Sequence, residues 1–133
     1  MTSRFENDNS FAVIGAGMSG VLAGIKLMEA GYPFQIFEKA DRVGGTWREN
    51  TYPGIACDVP SHIYSYSFEL NPDWSEFTSP GAEVQEYFEK VSKRYGVDPH
   101  IRFNEAVTRC TWMGDTWEIE TEKGNVEHFR WVI

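Results

Sequence analysis

The strongest constraint on this chain is a glycine turn that follows its first apolar run. Gly15, Gly17 and Gly20 have the spacing G-x-G-x-x-G and come directly after the run from Phe11 to Ile14. An apolar run bounded by polar residues on one side and by glycine on the other is typical of a buried parallel strand. The glycines therefore predict a strand-to-helix turn, in which backbone N–H groups at the helix N-terminus can face phosphate groups.

The residues after this turn complete a strand–helix–strand unit. The segment MSGVLAGIKLMEA is predicted as a helix that ends at Gly31 and Pro33, with an apolar side formed by Val21, Leu22, Ile25 and Met28. A second strand, FQIFE, ends at Glu38, at close to the roughly 20-residue spacing at which an acid accepts hydrogen bonds from ribose hydroxyls. An ordinary glycine-rich turn is the alternative, but this order of strand, helix, strand and acid favours a dinucleotide site.

Length and composition favour one domain with a substantial core. The chain has 133 residues, of which 41% are hydrophobic and 15% aromatic. Its 20 acidic residues outnumber its 12 basic residues, for a net charge of −8. No basic patch is visible, so nucleic acid and anionic membranes are poor partners.

Other sequence signals point to a cytoplasmic protein without a metal. No apolar run approaches the ~18 residues of a membrane span, and the polar N-terminus, MTSRFENDNS, is not a signal peptide. The two cysteines, Cys57 and Cys110, fit neither a disulfide framework nor a metal site.

The middle of the chain combines a long loop with a second helix. From KADRVGGTW to Phe77 the sequence is irregular and rich in Pro, Tyr, Ser and Asp, and such loops usually carry function or contact a ligand. A helix is then predicted with Ser79 as its N-cap, Pro80 at its first position and Gly96 at its end. Its apolar face comprises Val84, Tyr87, Phe88, Val91 and Tyr95.

The last third of the chain alternates as strands do. HIRF, AVTRCTWM, TWEIETE and VEHFRWVI are predicted strands, and the breaks GD and KGN indicate hairpin turns. The predicted fold class is α/β, a Rossmann-like βαβ domain with a parallel sheet plus a small antiparallel β-meander. Residues 1–9 are predicted as a flexible tail and residues 10–133 as the domain. Because the chain stops at Ile133 inside an apolar strand, we expect it to be the N-terminal part of a longer protein.

Four elements of the sequence together resemble the class B flavin-dependent monooxygenases, most of all the Baeyer–Villiger type. They are GAGMSG, Glu38, GGTWREN and YPGIACDVPSHIYSYSF, and the resemblance is strong from Phe11 to about Phe68. It implies FAD at the first site, and NADPH bound by a second nucleotide domain later in the chain. In such enzymes oxygen adds to the reduced flavin, and the resulting flavin peroxide inserts one oxygen atom of O2 into a ketone or attacks a soft heteroatom.

The resemblance also implies which residues contact the cofactors. The pyrophosphate and ribose positions are Gly15, Gly17, Ser19, Gly20 and Glu38. The positions beside the flavin or the adenine are Thr46, Trp47, Tyr64 and Val107. The positions on the side where NADP approaches are Ala56, Cys57 and Asp58. Asp58 is the implied catalytic residue, a carboxylate near the flavin and nicotinamide that faces a cationic partner from later in the chain.

Structural roles remain alternatives for several of these positions. Trp47 is alternatively a packed aromatic, since Trp usually contributes buried area. Asp58 is alternatively a cap for the turn before Pro60. Tyr66 and Phe68 alternate as residues of a strand do, so a core role fits them equally well.

The sequence also departs from the family. The F-x-G-x-x-x-H motif between the two nucleotide domains, the second glycine fingerprint and the catalytic arginine are absent, so the chain alone cannot complete a redox cycle. We expect the FAD-binding portion of an NADPH-dependent ketone monooxygenase. The alternatives are oxygenation of nitrogen or sulfur, and a non-catalytic FAD- or NAD-binding module. The GGTW…YPG…CD run favours an enzyme, because a sensor has no need to place it against the flavin ring.

Overall fold

A four-stranded parallel sheet forms the centre of the fold. The computed structural model describes residues 9–133, so all but the last residue of the predicted tail at 1–9 lies outside the described residues. The strands, numbered along the chain, are β1 (Phe11–Ile14), β2 (Phe34–Phe37), β3 (Ile101–Arg102) and β7 (Trp131–Val132). They lie in the order β3-β2-β1-β7 and all pair in parallel, which confirms the predicted Rossmann-like sheet.

Helix α1 (Met18–Ala30) joins β1 to β2 and completes the predicted βαβ unit. It ends at Gly31, which has a left-handed conformation with φ 75°. The buried line of α1 runs through Gly20, Gly24 and Leu27, at i, i+4 and i+7. Met28 lies beside this line and is 37% exposed, so the predicted apolar side was wrong at that position.

Helix α3 (Gly81–Arg94) packs against the same core as α1. The predicted face is confirmed, with Val84, Tyr87, Phe88 and Val91 buried. Pro80 rather than Ser79 is the N-cap, so the prediction for Ser79 was wrong. Ser79 lies one residue before the cap, and its buried side chain donates its hydroxyl to the carbonyl of Glu76 (3.1 Å).

The segment between β2 and α3 contains one short helix, α2 (Thr46–Glu49), and then turns and bends up to an isolated bridge between Ala56 and Pro80. Tyr66 and Phe68 do not form a strand. Their rings stack at 5.3 Å, with Tyr66 buried and Phe68 half-buried against the core. Their alternation in the sequence therefore reflects core packing.

The predicted antiparallel meander consists of β4 (Val107–Trp112), β5 (Trp117–Thr121) and β6 (Val126–Phe129). It packs against the parallel sheet through a small core of Ala12, Phe37, Ile119 and Phe129. The last predicted strand, VEHFRWVI, divides at Arg130 into β6 and β7. It divides because the N–H groups of Trp131 and Ile133 donate to carbonyls beside and within β1.

None of the helices in the described part of the chain is long and apolar enough to cross a membrane. The described residues contain no group of three or more His, Cys, Asp or Glu side chains placed to hold a metal ion. Cys57 and Cys110 are both free thiols.

Candidate dinucleotide site

The first glycine turn lies between β1 and α1. Gly15 has φ 97°, and its N–H donates to the carbonyl of Phe37 (2.8 Å). A Cβ on Gly20 would lie 1.9 Å from the carbonyl oxygen of Gly15, so only glycine lets α1 start this close to the turn. The first helical hydrogen bond runs from the N–H of Val21 to the carbonyl of Gly17 (3.0 Å). The N–H groups before Val21 therefore form a helix N-terminus that can bind an anion.

A second glycine turn, Gly44–Gly45, lies against the first. The N–H of Gly44 donates to the carbonyl of Ala16 (2.9 Å). A Cβ on Gly45 would lie 3.1 Å from the Cα of Gly17. Both residues of the second turn have positive φ, 129° and 53°. The two turns therefore meet backbone to backbone, and glycine is what allows this approach.

Gln85 of α3 holds the second turn from behind. Its Nε2 donates to the carbonyl of Val43 (2.7 Å) and to the carboxylate of Glu89 (2.9 Å). A Cβ on Gly44 would lie 1.8 Å from the Oε1 of Gln85, and this oxygen is buried without a hydrogen-bond partner. Sequence reasoning missed this residue.

The two turns border a cavity of about 480 Å³ at the carboxyl ends of β1 and β2. A volume of this size suits a small-molecule site. Five of the predicted site residues line it, namely Gly15, Gly17, Glu38, Thr46 and Val107. The other predicted site residues lie outside its lining, namely Ser19, Gly20, Trp47, Ala56, Cys57, Asp58 and Tyr64. A hollow of 520 Å³ beside α3 is slightly larger, but neither glycine turn contributes to it.

Glu38 closes one side of the cavity and is only 5% exposed. Its Oε2 accepts the N–H of Ala16 (2.6 Å), and its Oε1 accepts the N–H of Ala40 (2.8 Å). The carboxylate thus holds the first glycine turn, a role that the spacing alone did not reveal. An ionised carboxylate has about four acceptor positions, so two backbone donors leave room for ribose hydroxyls.

Trp47 and Tyr64 are brought together at the start of α1. The indole N–H of Trp47 donates to the Tyr64 hydroxyl (3.2 Å), which in turn donates to the sulfur of Met18 (3.3 Å). The Tyr66 hydroxyl donates to the carbonyl of Met18. Burial raises the pKa of Tyr66, which keeps this phenol protonated as a donor. These aromatic residues tie the long loop to the helix N-terminus.

The three residues predicted on the NADP side lie along the bridge to Pro80. Cys57 is buried, and its N–H donates to the carbonyl of Ser79 (3.0 Å). Ala56 and Asp58 are exposed. The Asp58 carboxylate has no hydrogen bond or ion pair with any of residues 9–133, which gives no support to the alternative role as a turn cap.

Comparison with known proteins finds a family of dinucleotide-binding domains and relatives that are named monooxygenases. A family of NAD(P)-binding Rossmann-like domains matches residues 13–79. A Baeyer–Villiger monooxygenase of Streptomyces coelicolor is 46% identical over 118 residues, which are 86% of this chain and 23% of that protein. The FAD-binding monooxygenase tazF of Aspergillus terreus is 42% identical over 116 residues, 83% of this chain and 21% of that protein.

Solved structures agree with these relatives. An open crystal structure of cyclohexanone monooxygenase matches with a TM-score of 0.88 and 35% identity, over 93% of this chain and 26% of that one. An oxidised steroid monooxygenase bound to NADP matches with a TM-score of 0.85 and 36% identity, over 93% of this chain and 25% of that one. The chain spans about a quarter of the length of the proteins it matches.

Proposed function

We propose that this chain, which belongs to the family of NAD(P)-binding Rossmann-like domains, is the FAD-binding part of an NADPH-dependent monooxygenase of the Baeyer–Villiger type. The observation that carries the proposal is the cavity bordered by two touching glycine turns and closed by Glu38. Support comes from relatives named Baeyer–Villiger or FAD-binding monooxygenases at 41–46% identity. Residues 10–133 would form the FAD-binding domain.

The residues around the cavity fit FAD. The N-terminus of α1 and Gly17 would face the pyrophosphate, because neutral N–H groups bind phosphate despite the acidic net charge. Glu38 would accept ribose hydroxyls and would repel a 2′-phosphate, so FAD or NAD suits this site better than NADP. Val107 would lie beside the adenine, and Thr46 would lie toward the flavin.

FAD, when bound, supplies the oxygen transfer from O2, with reducing equivalents from NADPH. The residues of this chain bind and orient it. The glycine turns fix the phosphates, Glu38 fixes the ribose, and the Trp47–Tyr64 pair holds the loop that covers the start of α1. The proposed substrate is a ketone or a similar organic molecule, and the proposed location is the cytoplasm, without a nucleic-acid or membrane partner.

Asp58 is proposed as the one catalytic residue in this chain. Its carboxylate is exposed and unpaired among residues 9–133, so it is available to a cationic group and to the nicotinamide. Asp58→Asn, made in the protein at its natural length, should leave bound FAD unchanged and slow flavin reduction by NADPH by about 10²-fold, the scale of lost orientation. Stopped-flow absorbance measures this rate, and a wild-type rate would leave Asp58 without a catalytic role.

The proposed function is tested by cofactor binding and by product formation in the protein at its natural length. We expect a yellow protein that binds FAD more tightly than NAD, measured by titration of the apoprotein, and that converts a cyclic ketone to a lactone with NADPH and O2. Binding of NAD without FAD would contradict the proposal. Bound FAD without any oxygenated product would favour the non-catalytic module.

A further inference from the structure

Glu105 joins the antiparallel meander to Glu38, the residue that follows β2. Its side chain is almost fully buried, with the residue 4% exposed. Its Oε1 accepts the Thr121 hydroxyl (3.0 Å) and the Nδ2 of Asn125 (2.6 Å), both at the turn between β5 and β6. Its peptide N–H donates to the carbonyl of Glu38 (2.9 Å). One residue thus connects the hairpin to the proposed ribose acid.

Glu105 is held as an anion. Burial by itself raises the pKa of this carboxyl, but the hydrogen bonds from Asn125 and Thr121, together with the nearby positive charge of Arg102, lower its pKa below the usual value. The closest approach of Arg102 is 4.0 Å, and its guanidinium is mainly paired with Glu127. The two neutral donors on the hairpin are therefore the direct partners of Glu105.

The two residues that follow Glu105 form part of the wall of the cavity. Ala106 and Val107 line the cavity together with Glu38. Ala106 also exchanges hydrogen bonds with Glu122 on the hairpin, at 3.2 Å and 2.9 Å. The position of this wall relative to Glu38 therefore depends on how the hairpin is held, and Glu105 holds it.

We propose that Glu105 is a positioning residue that places the Ala106–Val107 wall at the adenosine end of the site, and so sets the affinity for the ADP half of the dinucleotide. This inference rests on the proposed function only in requiring an adenine dinucleotide in the cavity. It does not require that the dinucleotide be FAD.

The test measures the Kd of ADP and of FMN by isothermal titration calorimetry on the apoprotein at its natural length. FMN contains the flavin but no adenosine. Glu105→Gln removes the charge at nearly constant size, and Asn125→Ala removes one donor from an exposed position. Glu118→Gln is the matched control, an acid-to-amide change on β5 at a carboxylate that lies 3.5 Å from the His128 imidazole.

We expect the Kd of ADP to rise about 10-fold in Glu105→Gln and about 3-fold in Asn125→Ala, the scale of a charge-assisted and a single lost hydrogen bond. Glu118→Gln should bind ADP as the wild type does, and the Kd of FMN should not change in any variant. A loss of only the ADP affinity is a result that general destabilisation does not produce.

Three results would overturn the inference. They are wild-type ADP affinity in Glu105→Gln, equal losses of ADP and FMN affinity, and, where Glu105→Gln does not fold, wild-type ADP affinity in Asn125→Ala. Failure of the proposed function looks different, because the wild type would then bind ADP and NAD without binding FAD. A wild type that does not bind ADP overturns both.

Discussion

The two glycine turns lie in contact, and Gly20 of the first and Gly44 of the second require glycine for different reasons. In the first turn, a Cβ on Gly20 would overlap the backbone oxygen of Gly15 at 1.9 Å, and the backbone of the turn cannot move aside. In the second turn, a Cβ on Gly44 would meet only the end of the Gln85 side chain at 1.8 Å, but its φ of 129° is itself unfavourable for any other residue. Glycine is therefore required at Gly20 by the close packing of the helix against the turn, and at Gly44 by the backbone conformation.

A similar contrast exists within the first turn. Gly17 has φ −72°, which any residue can adopt, and a Cβ there would have its nearest neighbour at 3.7 Å. The fold tolerates a methyl group at Gly17 but not at Gly20. The fold itself therefore does not require glycine at Gly17. This is expected where a ligand, rather than the protein, occupies the space that a side chain would fill.

Gly20→Ala should have the largest effect. Overlap with backbone cannot be relieved by a rotamer change, so we expect a loss of more than about 3 kcal/mol in the free energy of unfolding, or no folded protein. Urea denaturation measures it. Gly31→Ala is the control, because its Cβ would meet open space and only its φ of 75° is unfavourable. We expect this variant to lose about 1–2 kcal/mol in the free energy of unfolding. Equal losses in the two variants would remove the contrast between packing and conformation.

Gly44→Ala should have a smaller effect, about 1–3 kcal/mol, because backbone strain remains after Gln85 moves away. Combining it with Gln85→Ala separates the two contributions in a double-mutant cycle. If the double variant recovers all of the stability lost at Gly44, contact with the side chain, and not φ, is what requires glycine in the second turn.

Gln85→Leu tests how the second turn is supported. This change keeps the approximate volume, removes the donor to the carbonyl of Val43 and to the carboxylate of Glu89, and also removes the unpartnered Oε1. Loss of the donor destabilises the fold, whereas loss of the unpartnered oxygen stabilises it. We therefore expect a net loss of about 1 kcal/mol in the free energy of unfolding. A loss above 3 kcal/mol in urea denaturation would show that Gln85 contributes far more than its two hydrogen bonds.

Asp41→Asn should have the smallest effect. Asp41 pairs with Arg48 across the second turn at 2.7 Å, and this pair lies on the surface. The hydrogen bond with Arg48 lowers the pKa of the Asp41 carboxyl, but exposed ion pairs contribute little because water and salt screen them. The urea midpoint should match that of the wild type at low and at high salt. A clear shift at low salt only would show that the ion pair, as well as Gln85, holds the turn.

What could be predicted from the sequence depends on whether the signal is local or long-range. Gly15, Gly17 and Gly20 could be predicted as site residues because their spacing is local and begins directly after a strand, and Glu38 because it follows the next strand. The antiparallel meander was found because alternation and hairpin turns are also local signals. Such signals depend on neighbouring residues alone.

Long-range contacts were not predictable. Gln85 contacts Val43 from 42 positions away, and in the sequence it is only one polar residue on an amphipathic helix. In the sequence, Glu105 is likewise an ordinary acidic residue between two predicted strands. The division of VEHFRWVI at Arg130 depends on backbone carbonyls beside and within β1 that accept the N–H groups of Trp131 and Ile133. Nothing in the sequence of the last strand indicates these hydrogen bonds.

The most direct test of the account is the affinity of Gly17→Ala for FAD. Titration of the apoprotein at its natural length, followed by flavin fluorescence, should show a Kd raised at least about 10-fold, because a methyl group would occupy the space of the pyrophosphate. The free energy of unfolding without cofactor should fall by less than about 1 kcal/mol, the cost of alanine at an N-cap. Unchanged FAD affinity at unchanged stability would contradict the central claim that the first glycine turn binds the dinucleotide.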